Sequence, residues 1–487
     1  MPSLSQPSFD SQALDALVRA AMEACQVPGA SVGIVHGEEV VYLKGFGVKE
    51  AGKEDEVTPD TLFAIGSTTK AFTTTAIAML VDDGKMAWDD PVRKHIPFFR
   101  LSDPLADANV TLRDLVTHRT GVSRHDLLWY GSSLDREEIL RRIGLVKPNT
   151  SFRSTWEYNN IMYLAAGVAI GKASGGTWEA FLQQRILDPL GMTGACFSVK
   201  DVQQAPDRAT PHEKDKEKNL KTVPWRNLDN VAPAGSINSG ARDLTKWVRF
   251  NLGDGTFAGK RLLSAARLAE LHTPQMVVGR DEQARAWEPE TNMTSYALGW
   301  GVQDYHGLLM VHHGGGIDGM RAQISLIPAA KLGVIILANV GNTWMPEALR
   351  NSLLDTILGL PQRDWNTLYT ELADKMEAEE KKKEAERDAK RHKDTRPSRE
   401  PAAYTGAYEE PAYGTARVSL ENGSLVVQWN CFHLPLEHFH FDTFLAKKDD
   451  PPRVNELVAF TLDANGDVDT MIVLGIEFKK AKPNPGD

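Results

Sequence analysis

Ser67 and Lys70 head the segment STTKAFTTTAIAMLVD (residues 67–82), whose composition predicts a helix that is apolar on nearly every side. Such a helix belongs in the middle of a protein. A spacing of three residues puts both side chains on one face of it. A serine at a helix start is ordinarily an N-cap, and a lysine is ordinarily solvated. Here the helix offers the lysine no polar face beyond small threonines, so its charge needs a buried partner or an altered pKa. A partly desolvated lysine beside other donors can lose its proton near neutral pH and act as a base toward a hydroxyl. The positive end of the helix also favours negative charge developing at Ser67.

A second candidate is Tyr158-Asn159-Asn160 in WEYNNIMYLAAG, which opens another apolar helical run. A tyrosine and an asparagine two residues apart at a helix start can both face one cleft, or can simply anchor and cap the helix. A third is His313-Gly314-Gly315-Gly316, at the end of a predicted strand and before Ile317-Asp318-Gly319. Consecutive glycines allow close approach to the backbone and leave N–H groups free for an oxyanion. They also suit a plain hairpin turn. S-x-x-K and Y-x-N each occur once in the chain. The first alone is a weak signal, since about one copy is expected by chance.

Taken together and in this order, the three elements resemble the penicillin-recognising serine hydrolases: class C β-lactamases, serine D-Ala-D-Ala peptidases, D-aminopeptidases and related esterases. TLFAIGSTTKAFT, LVTHRTGV, LGMTGACFS, PAGSINSGARDLTKW and HHGGGIDGM look like the family too, over roughly residues 10–350. The resemblance implies that Ser67 attacks a carbonyl and is acylated, and that Lys70 and Tyr158 share the proton transfers. It further implies that Asn160 holds Lys70 or a substrate amide, and that the N–H groups of Ser67 and Gly316 form the oxyanion hole. It implies no metal or organic cofactor. An acyltransferase on the same fold and a penicillin-binding sensor that does not turn over are the alternatives.

The third motif reads His313-Gly314-Gly315 where the family often has Lys-Thr-Gly. Gly314 lacks the hydroxyl that would help bind a substrate carboxylate, and a histidine is largely neutral at pH 7. This favours a peptidase, amidase or esterase over an efficient β-lactamase. His118, in HRTG, lies near the cleft edge by the same resemblance or satisfies a loop. Trp129-Tyr130 forms a substrate wall or packs in a core.

The elements that would position these residues follow from the hydropathy pattern. Residues 10–26 read as an amphipathic helix, and 30–36 with 39–46 as a hairpin around His36-Gly37-Glu38. Residues 111–250 read as largely helical. LLMVHH, RAQISLI and LGVIILANV, within 307–340, read as an antiparallel meander, with a Gly-rich turn and then Pro328-Ala329-Ala330 between the strands. The expectation is an α+β domain over 1–362 with a helical insertion at about 84–250. This is the β-lactamase/DD-peptidase-like fold, an antiparallel sheet flanked by helices plus a helical subdomain. Residues 363–402, with Glu and Lys at helical spacing, read as a charged helical linker. From 403 to 487 short strands around Asn422-Gly423 and Asn465-Gly466 predict a small barrel-like domain. It resembles the lipocalin-like domain of some family members, beginning at YTGAYEE.

A net charge of −10 argues against nucleic acid as a partner. A small molecule or peptide is the expected substrate, with a homo-oligomer left open. No stretch has the apolar length to span a bilayer, and the first residues lack a signal-peptide pattern, so a cytoplasmic protein is expected, with an exported protein whose leader has been removed as the alternative. Cys25, Cys196 and Cys431 have no metal-ligand spacing and read as free, mostly buried thiols. His433, His438 and His440 lack a further close ligand, and no metal is expected.

Overall fold

Asp10 accepts the N–H groups of Gln12 and Ala13 through its side chain and starts helix α1 (Ser11–Ala24). Leu14, Val18 and Ala21 form its buried stripe. The chain then turns at Pro28 into strands β1 (Gly29–His36) and β2 (Glu39–Gly47). The computed structural model describes residues 7–449 and 452–482. Its contacts divide the chain into two units. One comprises the chain up to His125 with Lys147–Lys214 and Asn219–Asp374. The other comprises Asp126–Val146, Asp215–Lys218 and the chain from Lys375 on.

The first unit is built on an eight-stranded antiparallel sheet. Six later strands join the opening hairpin: β3 (Met276–Val278), β4 (Thr294–Tyr296), β5 (Gly301–Tyr305), β6 (Leu308–Ile317), β7 (Met320–Ile327) and β8 (Leu332–Ala338). Their order across the sheet is β2-β1-β8-β7-β6-β5-β4-β3. The first strand of the chain therefore pairs with the last of the sheet, with Val32 opposite Ile336. β8 is buried along its whole length, which explains its unbroken apolar run.

Alternation along the strands assigns the two faces. Val334 and Ile336 share a core with Leu14 and Val18 of α1 and with Leu349 and Leu353 of helix α5 (Met345–Leu358). Gly333 faces the other way, onto helix α4 (Ala241–Leu252). That face also carries α2 (Thr69–Asp82), in which every residue from Thr69 to Leu80 is buried, and α3 (Asn160–Ser174) packed beside it.

Two expectations are corrected here. Gly66–Thr68 forms a separate 3-10 turn, so Ser67 precedes α2 rather than sitting in its first turn. The glycine run 314–316 is no turn: it lies inside β6, and the reversal falls at Asp318-Gly319. The glycines serve close packing instead, as described below.

The charged stretch forms helix α6 (Trp365–Ala389), whose Trp365 and Tyr369 are buried in the first unit's core. The second unit is a closed antiparallel barrel of eight strands in sequence order, β9 (Gly406–Glu410) to β16 (Ile476–Lys480), sealed where Tyr408 pairs with Lys480. Asn422-Gly423 joins its second and third strands, with both residues at positive φ. All three cysteines are free. Cys25 and Cys196 are half-buried, but Cys431 is exposed, because it stands where the chain reverses between two barrel strands. Among the described residues no helix is long and apolar enough to cross a membrane.

Candidate active site

The 3-10 turn lifts Ser67 to the head of α2, half-buried while its neighbours are fully buried. Two donors converge on its hydroxyl: Lys70 Nζ at 2.9 Å and Tyr158 OH at 2.8 Å. Lys70 is wholly inaccessible to solvent. It also donates to Asn160 Oδ1 and to the carbonyl of Ala234, both at 2.8 Å. Three acceptors match the three N–H bonds of an ammonium, which is how a buried lysine is accommodated. The rings of Tyr158 and Tyr163 add cation–π contacts, 4.8 and 5.3 Å from Nζ.

The threonines of α2 position the segment that carries Ala234. Thr73 Oγ1 donates to Pro233 O at 2.7 Å and in turn accepts Trp178 Nε1–H at 3.0 Å. Thr69 Oγ1 accepts Ile237 N–H at 3.2 Å. Asn159 caps α3 by accepting the N–H groups of Ile161 and Met162. That cap aims Tyr158 and Asn160, on either side of it, at Lys70 and Ser67.

From Val311 on, the odd-numbered residues of β6 lie on the side of the sheet that carries α2. His313 Nδ1 lies 2.6 Å from Gly314 O, and a carbonyl only accepts, so Nδ1 carries the proton and Nε2 accepts from Tyr296 OH at 3.0 Å. Burial first, and the charge of Lys70 second, push the His313 pKa down to about 3. The imidazole is therefore neutral at physiological pH. Gly315 lies against the serine turn: a Cβ there would stand 1.9 Å from Ile65 O. A Cβ on Gly66, whose φ is +51°, would stand 2.7 Å from Gly316 N. Only glycine lets these two backbones meet. Gly314 points to the opposite face, toward Gln323 Oε1.

His118 is fully buried at φ +58° beneath Tyr158. Its ring lies 4.4 Å from that of Tyr158, and its Nδ1 accepts Asn159 N–H at 3.1 Å. Burial holds its pKa well below the usual histidine range, with Lys70 adding to the effect. Trp129 and Tyr130 belong to the second unit, where Tyr130 packs against the barrel core.

The structure thus brings Ser67, Lys70, Tyr158 and Asn160 into one hydrogen-bonded cluster and lays Gly315 and Gly316 against the serine turn. His313 is linked to Tyr296 instead of touching the serine directly. Sequence reasoning missed Tyr296, Tyr163, the Ala234 carbonyl and Arg124, whose guanidinium lies 5.1 Å from the Tyr158 ring centre. Ala234 stands in the already conspicuous PAGSINSG and Tyr163 in WEYNNIMYLAAG; Tyr296, on β4, and Arg124, in a loop, are brought to the site only by tertiary packing. Among the described residues no three His, Cys, Asp or Glu side chains are grouped to hold a metal ion.

Residues 14–356 match the family described as Beta-lactamase, and residues 390–483 match a domain of unknown function, DUF3471. The chain is 31% identical over 406 residues to the unguisins hydrolase ungD of Aspergillus violaceofuscus, covering 77% of this chain and 70% of that protein. It is 25% identical over 349 residues to Protein flp of Staphylococcus aureus, covering 70% and 65% respectively. Its fold is similar to that of an octameric penicillin-binding protein homologue from Pyrococcus abyssi, at a TM-score of 0.64 and 23% identity, over 97% of this chain and 100% of that one. It is also similar to a D-stereospecific amidohydrolase from Streptomyces sp., at a TM-score of 0.58 and 22% identity, over 72% of this chain and 100% of that one.

Proposed function

The chain belongs to the Beta-lactamase family, a family of hydrolases, and from that premise we propose that it cleaves ester or amide bonds through an acyl-enzyme on Ser67. One observation carries the reading: Ser67 Oγ is held at once by Lys70 Nζ and Tyr158 OH. For attack the hydroxyl proton must leave, so one of these two groups takes it in its unprotonated form. Oγ then bonds to the substrate carbonyl carbon, and the developing oxyanion is received by the N–H groups of Ser67 and Gly316. The proton passes to the leaving alcohol or amine as its bond to carbon breaks. Water, deprotonated by the same pair, cleaves the acyl ester and restores Ser67. Asn160 and the Ala234 carbonyl keep Lys70 aimed throughout.

Amides, peptides and simple esters fit this site better than β-lactams. The neutral His313 offers no charge to a substrate carboxylate. A hydrolase of unguisins and a D-stereospecific amidohydrolase among the similar proteins support the same reading.

The test is intact mass spectrometry after mixing with 4-nitrophenyl acetate or a penicillin, for wild type and Ser67→Ala. An acetyl adduct on wild type alone, with nitrophenol released over many turnovers, is the expected result. Equal turnover by Ser67→Ala rejects the nucleophile. A penicillin adduct that never turns over indicates a sensor instead.

A further inference from the structure

Three consecutive glycines leave the end of β6 with no side chains of its own to hold it in place, and glycine has the most backbone freedom to lose. Yet an oxyanion N–H works only if it is fixed in advance where the charge develops. On one face of the strand Gly315 is held by the serine turn. On the other, the glycines are covered by an ion pair that the mechanism above does not use. Arg321, on β7, stands directly opposite Gly316. A Cβ on Gly316 would lie 3.4 Å from both Cδ and Nη1 of Arg321. A Cβ on Gly314 would lie 3.9 Å from Glu347 Oε1, and Arg321 Nη2 donates to that same oxygen. The pair therefore runs along the glycines, with its cation against Gly316 and its anion toward Gly314.

The pair is itself anchored. Glu347 sits in the first turn of α5, where the positive end of the helix favours a carboxylate. The Arg321 guanidinium carbon lies 5.3 Å from the centre of the Trp344 ring. The two side chains are only 23% and 13% exposed. Arg321 Nε and Glu347 Oε2 are buried and have no hydrogen-bond partner among the described residues. Each charge thus depends on the other for compensation, which ties both to one geometry. The planar guanidinium packs on Trp344 while bonding to Glu347, two contacts that the point charge of a lysine cannot reproduce together.

We propose that Arg321, braced by Glu347, is a positioning residue that holds the Gly316 N–H on the oxyanion. The proposal rests on the reading of Ser67 as nucleophile and Gly316 as oxyanion donor. Arg321 touches no reacting atom; it acts through the strand it packs against.

The experiment compares the full chain with Arg321→Met, which keeps the length of the side chain and loses the fork. The readouts are kcat and KM for 4-nitrophenyl acetate and the inhibition constant of phenylboronic acid. The boron bonds to Ser67 Oγ and becomes a tetrahedral anion, so its affinity reports the fit to the transition state. Arg321→Met should lower kcat by about tenfold at a KM within about twofold, and weaken the boronate by a similar factor. Arg321→Lys, which keeps the charge beside Glu347, should recover part of both losses. Should Arg321→Met fail to fold, Arg321→Met combined with Glu347→Leu removes both charges together and carries the same readouts. Unchanged kcat and boronate affinity would overturn the proposal, and so would a fall in kcat with the boronate unaffected. A change confined to KM would also overturn it, by placing Arg321 on the substrate. Failure of the underlying reading is separate: wild type then forms no boronate adduct that Ser67→Ala abolishes.

Discussion

His118 holds the backbone on both sides of Tyr158, with its own backbone on one side and its imidazole on the other. Its carbonyl accepts Glu157 N–H at 2.7 Å, and its Nδ1 accepts Asn159 N–H at 3.1 Å. The ring between these two bonds lies 4.4 Å from the phenol ring. Because Nδ1 accepts, the neutral imidazole carries its proton on Nε2. Its depressed pKa keeps it in that form, so it orients the tyrosine without competing for the serine proton.

His118→Phe removes the acceptor for a buried N–H and puts a bulky residue at positive φ. Together these cost about 2–4 kcal/mol. His118→Asn keeps an acceptor and tolerates that backbone conformation. We expect kcat to fall more than tenfold for the Phe variant at similar KM, with a displaced alkaline limb in its pH–rate profile. The Asn variant should recover part of the loss. Identical profiles for both variants and wild type would show that His118 plays no part in placing Tyr158.

Gly315→Ala and Gly314→Ala should differ sharply. The first puts a methyl 1.9 Å from the Ile65 carbonyl, backbone against backbone. The second meets the end of the flexible Gln323 side chain at 3.2 Å. Ester hydrolysis by Gly315→Ala should drop by two orders of magnitude or more, while Gly314→Ala stays within severalfold of wild type. Comparable losses in the two would contradict the face assignment of β6.

Asn160→Ala deprives the Lys70 ammonium of a buried acceptor. Such a loss costs about 1–3 kcal/mol. Single-turnover acylation of Ser67 should slow by roughly 10–100-fold, with substrate affinity little changed. A change confined to KM would place Asn160 on the substrate rather than on the lysine.

Acid should destabilise the fold through its buried histidines. Burial lowers the pKa of His272 to about 4 and that of His313 to about 3, and holds that of His118 well below the ordinary 6.5. Above pH 6.5 these groups are neutral in both the folded and unfolded chain and leave stability unchanged. Between 6.5 and the folded value the unfolded chain binds the proton and the native one does not. Each such histidine then costs about 1.4 kcal/mol per pH unit of acidification. His272, which lies against Trp300, is the cleanest probe. In urea titrations from pH 7 to 4.5, His272→Gln should show a shallower fall in stability than wild type. Parallel curves would mean that His272 is protonated in the native state.

Thiol labelling should single out Cys431. It is exposed, whereas burial raises the pKa of Cys25 and brings Cys196 to about 11. One maleimide should add rapidly under native conditions at pH 7, on the peptide containing Cys431, and two more only after unfolding. Prompt native labelling of Cys196 would contradict its burial.

Much of the architecture was legible in local pattern. The helix of residues 10–26, the hairpin at His36-Gly37-Glu38, the three strands of 307–340 and the barrel turn at Asn422-Gly423 all depend on neighbours within a few residues. Periodicity and turn chemistry report such features directly. The glycine run 314–316 misled for a related reason. Gly is favoured both in turns and where two backbones touch, and local sequence cannot distinguish the two.

The sequence by itself determined the covalent inventory and its short-range geometry. It contains a serine and a lysine three residues apart before an apolar helix, a tyrosine and an asparagine astride a helix cap, and a histidine followed by three glycines. Only the tertiary structure decided that the first four form one hydrogen-bonded cluster, that Ala234 supplies a further carbonyl to Lys70, and that His313 is neutral because it is buried beside Lys70. Hydrogen bonds between residues 91 and 164 positions apart depend on which elements pack together. That packing minimises the exposed apolar surface of the whole chain, so no local window contains it.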